Sequence, residues 1–221
     1  MPSIWRFVKY MAGIIILYYG YFLVIKTWSY SDFAPTTGLL IAKQSVIQQS
    51  HYLLAFYTHV FSSIFVLLIG GLQFSSSFFR YSPRWHQLLG KFYVSIVLLL
   101  SAPSGFIIAL YANGGLPAKV AFVFQSVLWW LMTVLALKYA REGNWMEHSK
   151  FMIRSYALAL AAISLRIYAY VLPAFFGTYP IETYITNAWV SWVGNLLLAE
   201  LFIYLGFCQY LINTFGASQV K

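Results

Sequence analysis

The feature that constrains this chain most is a series of six apolar segments, each close to the length that crosses a lipid bilayer. A transmembrane helix needs about 20 apolar residues. The segments cover residues 10–27, 52–74, 92–112, 119–138, 149–172 and 188–212. Because most joints between them are short, consecutive helices are expected to be antiparallel neighbours. The sequence therefore predicts an all-α integral membrane bundle of six transmembrane helices, with residues 1–221 forming a single domain.

The composition indicates that lipid is the solvent of this chain. Hydrophobic residues make up 61% of it and charged residues 9%, which leaves too few polar side chains to cover a water-soluble globule. A net charge of +9 would favour a nucleic-acid partner in a soluble protein. Here the basic residues lie in clusters between apolar segments, so no nucleic acid is expected. We expect a multi-pass protein of the cell (inner) membrane.

The distribution of basic residues predicts how the chain is oriented. One side of the predicted bundle receives Arg6, Lys9, Arg80, Arg84, Lys91, Lys138, Arg141, Lys150, Arg154 and Lys221, and the other receives Lys26, Lys43 and Lys119. Cytoplasmic loops of membrane proteins are enriched in Lys and Arg. We therefore expect both termini to be cytoplasmic.

Two histidines are predicted to lie in the first turns of helices that begin on the cytoplasmic side. Ser82 is an N-cap followed by Pro83 at the first helical position, and Asn144 begins a sequence close to a capping box. His86 and His148 then lie at similar depth, where the helix macrodipole favours the neutral imidazole. Neutral imidazole binds metal ions, so the pair predicts a site for haem b or another metal. Contact with lipid phosphate is the alternative for both residues.

Polar residues inside the apolar segments form a second group. They are His59, Arg166, Asn195 and Glu200. An arginine in mid-helix costs roughly 2.5–3.5 kcal/mol, and Glu200 is the only carboxylate in an apolar segment, so we expect it to pair with Arg166. Arg166 follows His148 by five full turns of an uninterrupted helix, which predicts a shared inward face. A structural ion pair that fixes helix register, and a simple hydrogen bond from His59 to a neighbouring helix, stay open as alternatives.

Several stretches between His59 and Glu200 resemble a family of predicted bacterial and fungal membrane proteins, domain of unknown function 2306. The stretches are THVFSS, GGLQF, RWHQLLGKFYV, SAPSGFIIALYANGG, HSKFMIRSYALALAAISLRIY and AWVSWVGNLLLAE. The residues that match the family pattern by position are His59, His86, Tyr93, His148, Arg154, Arg166, Asn195 and Glu200. The resemblance implies a multi-helix bundle and no established activity. We add Arg154, as part of this pattern, to the candidate cofactor-binding residues.

Two functions from different classes follow as alternatives. In the first, His86 and His148 ligate haem b or another metal in a redox protein, and the intramembrane polar residues form a site for a quinone-like ligand or a proton. In the second, the chain is a non-catalytic subunit or assembly factor of a larger membrane complex, and its polar residues serve structure. The sequence contains no P-loop, HExxH or GxSxG motif, which disfavours phosphoryl transfer and hydrolysis.

Overall fold

The computed structural model of the protein describes residues 2–216, which form ten α-helices and no strand. The helices are α1 Pro2–Trp28, α2 Ser50–Gln73, α3 Ser76–Tyr81, α4 Pro83–Ile96, α5 Ala102–Ala109, α6 Gly115–Arg141, α7 Trp145–Ala159, α8 Ala161–Phe176, α9 Pro180–Tyr204 and α10 Phe207–Gly216. A 3-10 helix, Gly38–Lys43, lies between α1 and α2, and a π-helical turn, Val97–Ser101, joins α4 to α5. Lys221, assigned above to the basic side, lies outside the described residues.

These helices supply between four and six membrane crossings. Four spans are long and apolar enough to cross by themselves, namely α1, α2, α6 and the continuous run from α4 to α5. Two more crossings are bent pairs: α7 and α8 meet at 43°, and α9 and α10 meet at 64°. The total is six when each bent pair counts as one crossing. The predicted all-α membrane bundle is confirmed, and the two bends are features that apolar length alone did not reveal.

Side-chain caps fix the beginnings of α4 and α7, as the sequence predicts. The Ser82 hydroxyl accepts a hydrogen bond from the backbone N–H of Trp85 at 3.4 Å. The Asn144 side chain accepts one from the N–H of Glu147 at 3.2 Å. Such caps satisfy N–H groups that have no partner within the helix. Each cap places a histidine in the first turn of its helix.

A chain of buried hydroxyls ties three helices together in the centre of the bundle. The Tyr93 hydroxyl of α4 lies 2.9 Å from the Ser155 hydroxyl of α7, which lies 2.8 Å from the Thr133 hydroxyl of α6. All three side chains are fully buried. Buried polar groups in lipid need partners within the protein, so this chain fixes the relative depth of α4, α6 and α7.

Side chains of neighbouring helices donate hydrogen bonds to backbone carbonyls of the π-helical turn between α4 and α5. Pro103 lacks an N–H and so removes one hydrogen bond of the helix. The indole of Trp130 donates to the carbonyl of Leu98 at 3.3 Å, and Nδ1 of His59 donates to the carbonyl of Ser101 at 2.8 Å. His59 therefore stabilises an irregular backbone segment within the membrane-spanning region, which matches the structural alternative.

Backbone carbonyls next to the bend between α7 and α8 also accept hydrogen bonds from side chains of neighbouring helices. The amide of Asn195 donates to the carbonyl of Ala157 at 3.1 Å and accepts from the Ser164 hydroxyl at 2.9 Å. Gln125 of α6 donates to the carbonyl of Leu158 at 3.4 Å. Asn195 thus bridges the two halves of the broken helix from α9.

The alternating helices separate the basic residues between the two ends of the bundle. Lys9 lies near Arg80 at one end, which we call the basic end, and Lys43 lies near Lys119 at the other. Lys43 donates to the Asn113 side chain at 2.7 Å. Burial, with a smaller contribution from Lys119, lowers the pKa of Lys43.

A close approach between helices in the core depends on Gly70 of α2. A Cβ at this position would lie 2.9 Å from Cε2 of Tyr93 and still closer to the ring of Tyr156. Tyr156 is held there because its hydroxyl donates to the carbonyl of Leu67 at 2.9 Å. The Gly70→Ala variant should lower the free energy of unfolding in detergent by about 1–3 kcal/mol, as overpacked cores do.

The matched control is Gly13→Ala in α1, where an added Cβ meets no atom within 4 Å. We expect its stability to change by less than about 0.5 kcal/mol. Equal effects of the two variants in chemical or thermal unfolding would contradict the proposed close contact.

Candidate histidine site at the basic end

His86 and His148 lie at the same level on two parallel helices. α4 and α7 both begin at the basic end, because α6 runs in the opposite direction between them. His86 precedes Tyr93 by two turns, and His148 precedes Ser155 by two turns. Since Tyr93 and Ser155 are hydrogen-bonded, the two imidazoles lie at a similar level, about 10 Å nearer the basic end. They are close enough to interact electrostatically.

The imidazole of His86 has one nitrogen without a partner. Nδ1 is buried and has no hydrogen bond within the described residues. The ring is flanked by Phe79 of α3, at 5.1 Å between centroids, and by Phe215 of α10, at 5.7 Å. Leaving a buried polar nitrogen unsatisfied costs about 1–3 kcal/mol. This nitrogen is therefore suited to a ligand.

The imidazole of His148 is oriented by a backbone carbonyl. Its Nδ1 lies 2.9 Å from the carbonyl oxygen of Ala136 in α6. Because a carbonyl can only accept, Nδ1 carries the proton, and in the neutral ring Nε2 keeps its lone pair. Histidines that ligate metals usually donate their other N–H to a carbonyl or carboxylate. The contact with Ala136 supplies that arrangement.

Gln73 of α2 lies near the first turns of α4, close to the candidate histidine site. The sequence analysis did not assign it to that site. Its Nε2 is buried without a hydrogen-bond partner among the described residues. Its Oε1 would lie 3.2 Å from a Cβ at Gly90, which is one turn after His86 on the same face of α4. Two unsatisfied polar groups thus occupy neighbouring turns. The signal in the sequence was a glutamine in the last turn of a span, at the level of the predicted histidines.

Arg154 pairs with Glu200, and the predicted pairing of Arg166 with Glu200 is wrong. Arg154 Nε lies 2.6 Å from Oε1 of Glu200, and Nη2 lies 2.9 Å from Oε2, a two-point contact. The guanidinium also lies over the ring of Phe151, 4.9 Å from its centroid. The antiparallel register of α7–α8 against α9 explains the error. Because Asn187 donates to the carbonyl of Leu165 at 2.7 Å, Arg166 lies opposite the first half of α9.

Arg166 is exposed on the surface of α8, so the predicted inward face was also wrong. It donates to the carbonyl of Ala162 in its own helix at 2.6 Å. The prediction assumed an uninterrupted helix from His148. The bend of 43° at Leu160 turns the second half of the helix, and the face that carries Ser155 inward no longer continues to Arg166.

The structure brings the sequence-predicted site residues together in two pairs, His86 near His148 and Arg154 against Glu200, and distributes the others. His86 and His148 lie at one level and interact electrostatically, whereas Arg154 lies six residues after His148 on another side of α7. His59, Asn195 and Arg166 lie in three separate contacts. Within residues 2–216 no group of three or more His, Cys, Asp or Glu side chains is arranged to hold a metal ion. The histidine pair is therefore the candidate site.

The fold and the charge distribution define a multi-pass, all-α membrane protein. The profile of the family described as predicted membrane protein (DUF2306) matches residues 56–203. The chain belongs to this family, as the resemblance predicted. No curated protein and no solved structure matches the chain. The matched region contains both histidines and the Arg154–Glu200 pair.

The ion pair between α7 and α9 can be tested by a double-mutant cycle. Arg154→Gln and Glu200→Gln should show a coupling energy of at least about 0.5 kcal/mol in unfolding measurements, because the two charges lose the same two-point contact. Glu200 is 50% exposed, which limits the size of the effect. Arg166→Gln combined with Glu200→Gln is the matched control and should be additive. Coupling in the control, and additivity in the Arg154 cycle, would restore the original pairing.

Proposed function

We propose that this protein is a membrane-embedded redox protein whose transition-metal centre, haem iron or a bare ion, is ligated by His86 and His148. The observation that carries the proposal is the pair of imidazoles at one level of the bundle, close enough to interact electrostatically. The Nδ1 atom of His86 has no other partner, and the Nε2 atom of His148 is available.

The chemistry of the two rings supports metal ligation over a purely structural role. Neutral imidazole is the commonest metal ligand in proteins. The hydrogen bond from His148 to Ala136 fixes its tautomer and orientation, as outer-shell carbonyls do at metal sites. Phe79 and Phe215 surround His86 with apolar rings, and limited solvent access is one of the factors that set a redox potential.

Two protein ligands limit what kind of centre the site can hold. Structural zinc sites use four protein ligands, and the described residues offer two histidines. His86 and His148 would be sufficient protein ligands for haem iron, because its remaining ligands would come from the macrocycle. A bare ion with two histidines keeps open positions for water or a substrate. Haem iron and a bare ion would each serve electron transfer or ligand binding, whereas a structural metal site would stabilise the fold.

Purified protein tests this proposal directly. We expect either a haem absorption band that shifts on reduction with dithionite, or about one equivalent of a transition metal by elemental analysis. His86→Ala and His148→Ala should each lower occupancy at least about tenfold, since even outer-shell changes cost 10–100-fold in metal affinity. His86→Met should retain a centre with an altered spectrum or potential, because methionine also ligates iron and copper.

The matched control is His51→Ala, because His51 lies at the opposite end of the bundle, with Nε2 2.6 Å from the Tyr111 hydroxyl. It should leave occupancy unchanged. Protein that contains no metal after purification, and takes up none on reconstitution with haem b or divalent ions, would reject the proposal. Stoichiometric copurification with other membrane subunits in that case would favour the non-catalytic subunit.

We also propose that the basic end faces the cytoplasm, so that the histidine pair lies near the cytoplasmic surface. The positive-inside rule supports this orientation. In a Cys208→Ala background, Lys26→Cys should react with a membrane-impermeant maleimide in intact cells, and Arg84→Cys should react only after lysis. The reverse pattern would place the histidines at the outer surface.

A further inference from the structure

A groove between α1 and α10 opens at the basic end, apart from the histidine pair. Its volume is about 480 Å³. The lining residues are Trp5, Leu205, Gly206, Gln209, Tyr210, Asn213 and Thr214. The lining is mostly apolar, with a polar edge where the Gln209 amide donates to the Asn213 side chain at 2.8 Å. An apolar surface with a polar edge at the end of a membrane bundle fits an amphipathic ligand.

Lys9 lies beside this groove, and Arg80 lies near Lys9. The Lys9 ammonium lies 5.8 Å from the centroid of the Tyr210 ring, which lines the groove. Lys9 follows Trp5 by one turn on the same face of α1. Arg80, at the end of α3, lies close enough to Lys9 to repel it.

Neither cation is neutralised by a carboxylate within the described residues. The ion pairs there are Lys138–Glu142, Lys150–Glu147 and Arg154–Glu200. Two like charges held near each other without a counter-ion favour the binding of an anion. Phosphate groups of anionic lipids lie at this level of a membrane, and basic pockets between helices bind them.

We propose that the groove binds an anionic phospholipid, with its phosphate between Lys9 and Arg80 and an acyl chain along Trp5, Leu205 and Tyr210. The proposal is independent of the metal centre, since it uses other residues. The charge of the two side chains selects the headgroup, and the apolar lining of the groove holds the chain.

Native mass spectrometry of the full chain, released from nanodiscs of equal parts phosphatidylglycerol and phosphatidylcholine, tests the site. We expect phosphatidylglycerol to be retained preferentially. Lys9→Gln and Arg80→Gln should each reduce that preference about fivefold. Lys9→Arg should retain it, since the charge is kept. Lys26→Gln, on the same helix at the other end, is the matched control and should have no effect.

Three results would overturn the proposal. The first is equal retention of the two lipids by the unaltered chain. The second is an equal loss of preference in Lys9→Gln and Lys26→Gln, which would indicate general attraction to the bilayer. The third is full displacement by free inorganic phosphate, which would assign the cations to a soluble anion. Metal content, measured on the same samples, should be unchanged by these variants, so the two proposals fail separately.

Discussion

Hydrocarbon offers no water to an unpaired backbone carbonyl, and this constraint decides where most polar side chains of the protein lie. Backbone carbonyls at the π-helical turn Val97–Ser101 and next to the bend at Leu160 lie within membrane-spanning segments. The side chains that satisfy them come from neighbouring helices: His59, Trp130, Gln125 and Asn195. These contacts stabilise the interrupted helices, so these four polar side chains have a structural role.

The histidine pair differs from this group because some of its ring nitrogens make no hydrogen bond to the backbone. His148 engages a carbonyl with one nitrogen only, and His86 keeps a buried nitrogen without a partner. The hydrogen bond between Tyr93 and Ser155 sets the level of both rings. A structural contact in the centre of the bundle therefore positions the candidate site two turns away.

α10 connects the two proposed sites at the basic end. Its Tyr210 and Asn213 line the groove against α1, and its Phe215 packs against His86. The positive φ of Gly206, 86°, allows the bend of 64° between α9 and α10. A lipid in the groove would contact the same short helix that shields the histidine.

The sequence by itself determined the helical class, the order of the spans, the capped starts of α4 and α7 and the segregation of charge. Each of these depends on local composition, which a stretch of chain carries wherever it packs. The tertiary structure alone decided that Glu200 pairs with Arg154, that Arg166 faces outward, and that Gln73 lies against Gly90, one turn from His86. These outcomes depend on the bend at Leu160 and on the register of α9, which are set by contacts between residues far apart in the chain.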